Sequence, residues 1–185
     1  MMQKKVQIIS DGSLDLSQEL TKEKDIEVVP FYVSFDSETY QKEMVEVGVR
    51  EFYQEMVDHP TVFPKTSMPS VHDYYEVFEK HAKEQLPVIC ICITRKFSGS
   101  LQSATTAKDM ILEEYPDAQI TVIDSTVNTV LQGLYVLEAC RLRDMGLEYQ
   151  QIVDALLPIR ETGRIFFTIG SIDYLKPVSY THLTL

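Results

Sequence analysis

The sequence predicts an α/β protein, a mostly parallel sheet with helices on both faces. Three observations point there. Short apolar segments alternate with helical patterns along the chain. One of them, Pro87-Val-Ile-Cys-Ile-Cys-Ile-Thr94, is apolar without the alternation of a strand that has one face in water. Finally, turns rich in Ser, Thr and Asp sit where strands end and helices begin.

The elements follow in order. Val6–Ser10 is a short apolar strand, and a helix is expected near Ser17–Lys24. Ile26–Phe35 reads as one β segment, with Glu38–Lys42 as a short return strand. Phe52, Tyr53 and Met56 mark a helix over Val49–Val57, and the proline-rich stretch His59–Pro69 reads as a loop. Ser70-Val-His-Asp73 has the pattern of a capping box, with Asp in the Glu position. It opens a helix with Val71, Tyr74, Tyr75, Phe78 and Ala82 on one face. After the strand Val88–Thr94 comes a helix over Ser100–Tyr115, with Leu101, Ala104, Ile111, Leu112 and Tyr115 facing inward. Gln119–Ile123 is the next strand. An unusually apolar helix, Val130–Met145, is closed by Gly146, then Tyr149–Ile159 forms a helix and Arg164–Ile169 a strand.

Composition narrows the function. The 185 residues carry a formal net charge of −11, which repels phosphate backbones and anionic lipid surfaces. Nucleic-acid binding and peripheral membrane docking are therefore not expected, and the apolar run at Val88–Thr94 is too short for stable membrane insertion. The amino terminus lacks the apolar stretch of a signal peptide and reads as a first strand, so a cytoplasmic protein is expected. Three cysteines do not build a disulfide framework. Cys90 and Cys92 lie on one strand face and Cys140 in an apolar helix, as small buried hydrophobes.

In parallel sheets the ligand lies beyond the carboxyl ends of the strands. Four polar turns fall near such places: Asp11-Gly12-Ser13, Lys65-Thr66-Ser67, Ser98-Gly99-Ser100 and Asp124-Ser125-Thr126. A helix start after a strand offers unpaired N–H groups to an anion. Ser, Thr and Asp are also ordinary helix caps, and each turn alone reads as a cap. His59, His72, His81 and His182 are scattered, and no metal site is expected from them or from Asp11, Asp15 and Asp124. Ser98 lacks the Gly-x-Ser-x-Gly elbow of a nucleophile, and the chain has no glycine-rich nucleotide cradle.

Several segments resemble the DegV family of bacterial fatty-acid-binding proteins. They are Ser10-Asp-Gly-Ser-Leu-Asp-Leu16, Ile26–Phe35, Glu51-Phe-Tyr53, Pro64-Lys-Thr-Ser-Met-Pro-Ser70, Phe97-Ser-Gly-Ser-Leu-Gln-Ser-Ala104, Val122-Ile-Asp-Ser125, Gln132-Gly133 and Phe166-Phe167. The resemblance covers nearly everything from Val6 to Lys176. It implies that Thr66 and Ser98 hold the carboxylate of a long-chain fatty acid, with Ser67 and Gly99 in support. It implies an acyl chain in an apolar tunnel, with the helices Val49–Val57, Ser70–Glu84 and Val130–Met145 as expected walls. It further implies no cofactor beyond the bound fatty acid, and no catalysis by this chain. The partner would be the catalytic subunit of a fatty acid kinase, which phosphorylates the presented carboxylate to an acyl phosphate.

Two positions depart from the family's pattern: Gly12 stands where Ser is usual, and Leu131 where Gly is common. The resemblance divides the chain into an amino-terminal α/β domain over 1–160, the start of a second domain over 161–176, and a tail over 177–185 unlike the family. The second domain is thus expected to be largely absent and lipid binding by this chain to be weak or lost. The alternative is a small-molecule kinase or phosphotransferase subunit of related architecture, working with Asp and His.

Overall fold

The computed structural model describes residues 6–166 and Thr168. They fall into two compact units: residues 6–31 with 68–165 form one, and residues 32–67 the body of the other.

The larger unit is built on four parallel strands in the order β2-β1-β6-β7: β1 (Gln7–Asp11), β2 (Ile26–Val29), β6 (Val88–Cys92) and β7 (Ile120–Asp124). Every residue of β1 and β6 is buried, for β6 as its unbroken apolar run predicts. Alternate side chains divide between the two faces. On one face Ile8, Ile89, Ile91 and Ile123 meet Val136, Ala139 and Cys140 of α5 (Thr129–Asp144) and Ile152 and Leu156 of α6 (Tyr149–Ile159). On the other, Ile9, Val88, Cys90 and Cys92 meet Tyr74 and Phe78 of α3 (Val71–Lys83) and Ala104, Ala107 and Ile111 of α4 (Ser100–Glu114). A short helix, α1 (Gln18–Glu23), precedes β2.

Local chemistry sets the helix ends. The capping box at Ser70 forms with Asp73: the Asp73 N–H donates to Ser70 Oγ at 3.1 Å, and the Ser70 N–H to Asp73 Oδ2 at 2.8 Å. α5 ends where Gly146 turns left-handed at φ +85°. The N–H groups of Gly146 and Leu147 then reach the carbonyls of Arg143 and Leu142, a Schellman closure. Near its start, Gly133 lets α5 approach the turn after β1. A Cβ there would lie 2.3 Å from the Leu14 carbonyl oxygen.

The smaller unit holds a three-stranded antiparallel sheet in the order β4-β3-β5: β3 (Tyr32–Ser34), β4 (Gln41–Lys42) and β5 (Lys65–Ser67). Its helix, α2 (Val49–Asp58), sets Phe52 against Phe35 with ring centroids 5.2 Å apart. After β3, the Asp36 carboxylate accepts from the N–H groups of Glu38 and Thr39 and from the Ser34 hydroxyl. These bonds, the two backbone N–H groups foremost, hold its pKa down at about 2.

Three expectations change. The single β segment Ile26–Phe35 is two strands in two sheets, divided at Pro30 and Phe31, where proline lacks the N–H to continue a ladder. The loop His59–Pro69 contains β5, three residues whose pairing partners lie more than thirty positions upstream. In the expected strand Arg164–Ile169, residues 164–166 are not strand, and Phe167 and Ile169 lie outside the described residues. The expected start of a second domain is described only in part, and the tail 177–185 not at all.

Candidate functional site

The carboxyl ends of β1 and β6 converge on one carboxylate. Asp11, last in β1, is fully buried, and its partners among the described residues are neutral donors. Its Oδ2 accepts from the Ser100 hydroxyl at 2.7 Å and the Ile93 N–H at 2.9 Å, and its Oδ1 from the Gln132 amide at 2.8 Å. The Ser13 backbone N–H adds a fourth bond. Burial nevertheless outweighs these bonds and raises its pKa above the usual carboxylate range.

The cluster extends from Asp11 in two directions. Gln132 also donates to Ser10 Oγ at 3.0 Å, which in turn donates to the Ile91 carbonyl. On the opposite face the Tyr74 hydroxyl lies 2.7 Å from Ser100 Oγ and 3.7 Å from Cys92 Sγ. Burial first, then the neighbouring thiol and carboxylate charges, push the Tyr74 phenol up.

Ser98 lies just outside this cluster, half-buried, in the turn between β6 and α4. Its Oγ accepts the Ser100 N–H at 3.2 Å, which leaves its own hydrogen for an external acceptor. The two hydroxyls of Ser98-Gly99-Ser100 are therefore not equivalent, because Ser100 has already spent its hydrogen on Asp11. At Gly99 a Cβ would meet Met68 Sδ at 2.6 Å, so the thioether end rests against this turn. First-turn N–H groups of α4 lack helical carbonyl partners, and the helix dipole adds positive character. The turn suits an anion held by neutral donors.

The other expected residues sit elsewhere in the fold. Thr66 and Ser67 are exposed on β5 of the smaller unit, with Thr66 opposite Val33 and Ser67 opposite Tyr32. As neighbours on a strand, their side chains point to opposite faces. The Asp124 turn is engaged elsewhere: Asp124 accepts from the Thr126 N–H and lies 3.7 Å from the Arg95 guanidinium, Ser125 bonds to Val127, and the Thr126 hydroxyl donates to the Arg160 carbonyl. Of the expected tunnel helices, α3 and α5 pack on opposite faces of the parallel sheet, and α2 belongs to the smaller unit. A crevice of about 570 Å³, lined by Leu86, Pro87, Tyr115 and Gln119, opens at the amino ends of β6 and β7, away from the hydroxyl turn.

Among the described residues no histidine bonds to Ser98. His81 is buried against Glu27 at 2.6 Å, His59 and His72 pair with Glu55 and Glu76, and His182 lies outside the described residues. Among the described residues no group of three or more His, Cys, Asp and Glu could hold a metal ion. None of their helices is long and apolar enough to cross a membrane.

Sequence reasoning missed how the cluster is assembled. Tyr74 reads as one more core aromatic and Gln132 as a polar residue in an apolar helix. The available signals were a carboxylate directly after an apolar strand and a glutamine in the first turns of a buried helix.

Comparison with known proteins bears on this site. A curated DegV domain-containing protein of Clostridium perfringens is 29% identical over 171 residues, covering 92% of this chain and 59% of that protein. A stearic acid-binding protein of Eubacterium ventriosum is 46% identical with a TM-score of 0.79, covering 82% of this chain and 52% of the other. A fatty-acid-binding DegV family protein of Thermus thermophilus is 29% identical with a TM-score of 0.71, covering 85% and 54%. The chain thus spans little more than half the length of these proteins. The family model for uncharacterised proteins of the DegV family matches residues 5–177, and the chain belongs to that family.

Proposed function

We propose that this chain binds a long-chain fatty acid in the cytoplasm and presents its carboxylate to a partner kinase. The observation that carries the reading is the free hydrogen of Ser98, set at the start of α4 where helix and turn favour an anion. The stearic acid bound by the 46% identical relative names the ligand class. Ser98 and Thr66 act as hydroxyl donors to the carboxylate, supported by Ser67 and the Gly99 backbone. Thr66 enters through the family resemblance and its exposed position on β5.

The tail supplies affinity at about 0.8 kcal/mol per buried CH₂, and the hydroxyls supply orientation. In the kinase step a carboxylate oxygen attacks the γ-phosphorus of a nucleoside triphosphate, giving an acyl phosphate and the diphosphate. This chain contributes no base to that step, since the carboxylate is already the nucleophile.

Native mass spectrometry of the purified chain tests the reading. After incubation with excess stearate a bound long-chain fatty acid is expected, reduced at least tenfold in Ser98→Ala and in Thr66→Ala. Equal lipid in both variants, or none in the unsubstituted chain after incubation with stearate, overturns it.

A further inference from the structure

The hydrogen bonds behind Ser98 run in one direction. The Asp11 carboxylate accepts, so Ser100 Oγ donates to it at 2.7 Å and has no second hydrogen. Tyr74, 2.7 Å from the same oxygen, must then donate to Ser100. The Ser100 backbone N–H donates to Ser98 Oγ at 3.2 Å. Asp11, Tyr74 and Ser100 are each fully buried, so water does not compete for these bonds. The chain crosses three elements: Tyr74 from α3, Ser100 from α4 and Asp11 from the end of β1. Asp11 thus fixes the polarity of the Ser100 and Tyr74 hydroxyls and holds Ser100 in place. The Ser100 backbone N–H, a donor in any case, occupies the Ser98 oxygen and leaves that hydroxyl's hydrogen unspent.

We propose that Tyr74, Ser100 and Asp11 are positioning residues that make Ser98 an outward donor, and so set the preference for an ionised carboxylate headgroup over a neutral one. Without them the first turn of α4 is no longer tied to β1. Ser98 can then rotate its hydrogen onto a local carbonyl, as serines do in turns. None of the three touches the ligand. This inference rests on the proposed function, in which Ser98 meets the carboxylate.

Competition binding against a fluorescent fatty acid, with stearic acid and stearyl alcohol as competitors at pH 8, separates the two. The tail is common to both competitors, so the alcohol reports tail binding and folding while the acid-to-alcohol ratio reports the headgroup. Tyr74→Phe keeps the ring in the core and removes one donor. Ser100→Ala removes the link, and Ser100→Thr restores a hydroxyl. The ratio is expected to fall roughly fivefold or more in Tyr74→Phe and tenfold or more in Ser100→Ala, with alcohol affinity within about twofold of the unsubstituted chain and partial recovery in Ser100→Thr. If Ser98→Ala loses the preference while Tyr74→Phe and Ser100→Ala keep it, the positioning role is overturned and the headgroup site stands. Acid and alcohol affinities that fall together in Tyr74→Phe also overturn it, because that is the mark of a merely structural part. If the unsubstituted chain shows no preference, the function reading fails, and this inference with it.

Discussion

The Ser100 hydroxyl donates to the Asp11 carboxylate at 2.7 Å and ties the start of α4 to the carboxyl end of β1. A buried carboxylate is costly, and here four donors answer it. The arrangement trades stability for a defined geometry at the strand ends.

That cost makes a pH prediction. The folded Asp11 carboxyl lies above its ordinary value of 3.8, so the folded state keeps a proton that the unfolded chain releases. The resulting contribution is full below pH 3.8 and is lost as pH rises through the folded pKa. The unfolding free energy of the unsubstituted chain minus that of Asp11→Asn should therefore fall across that window in urea titrations. A difference that rises with pH would refute the assignment. Asp11→Ala should cost about 3 kcal/mol or more, since the Ser100, Ile93 and Gln132 donors are left buried without an acceptor.

Glu27 predicts the opposite slope. Burial pushes its carboxyl up, but the bonds from His81 and Lys80 outweigh that and set its pKa below 4.5. Its stabilisation is present above pH 4.5 and lost as pH falls through the lowered pKa. Glu27→Gln should destabilise by about 1 kcal/mol at pH 7, an amount reduced by partial solvent screening, with the difference vanishing in acid. The same denaturation series at pH 3 and pH 7 checks it.

Two glycines should respond differently to alanine. Helix propensity alone would make Gly133→Ala stabilising by about 1 kcal/mol. The Cβ would instead meet the Leu14 carbonyl oxygen at 2.3 Å and Leu16 Cδ2 at 2.8 Å, so a loss of about 3 kcal/mol is expected. At Gly99 the obstacle is the flexible end of Met68, and φ is an ordinary −78°, so Gly99→Ala should stay within about 1 kcal/mol. Thermal melts of the two variants decide the order, and a stable Gly133→Ala would show that α5 does not pack as closely as described.

Much of the fold is legible because it depends on local pattern. The helix Tyr149–Ile159 falls where its apolar spacing puts it, and the Ser70–Asp73 box forms as its residues imply. The double-sided burial of β6 is visible in its unbroken apolar run. β5 is not legible, because Lys65-Thr66-Ser67 is polar and short and becomes a strand only by pairing with Tyr32–Ser34. The site is half legible. Ser98 stands out as a hydroxyl at a strand-to-helix turn, while the roles of Tyr74 and Gln132 depend on partners tens of residues away.

Sequence by itself determined the layered α/β architecture, the family and Ser98 as a candidate donor, because periodicity, turn chemistry and motif order are properties of neighbouring residues. Only the tertiary structure decided which serine of Ser98-Gly99-Ser100 keeps a hydrogen to give. That depends on Asp11, 89 positions from Ser100, whose buried charge must be met by donors from wherever the fold brings them.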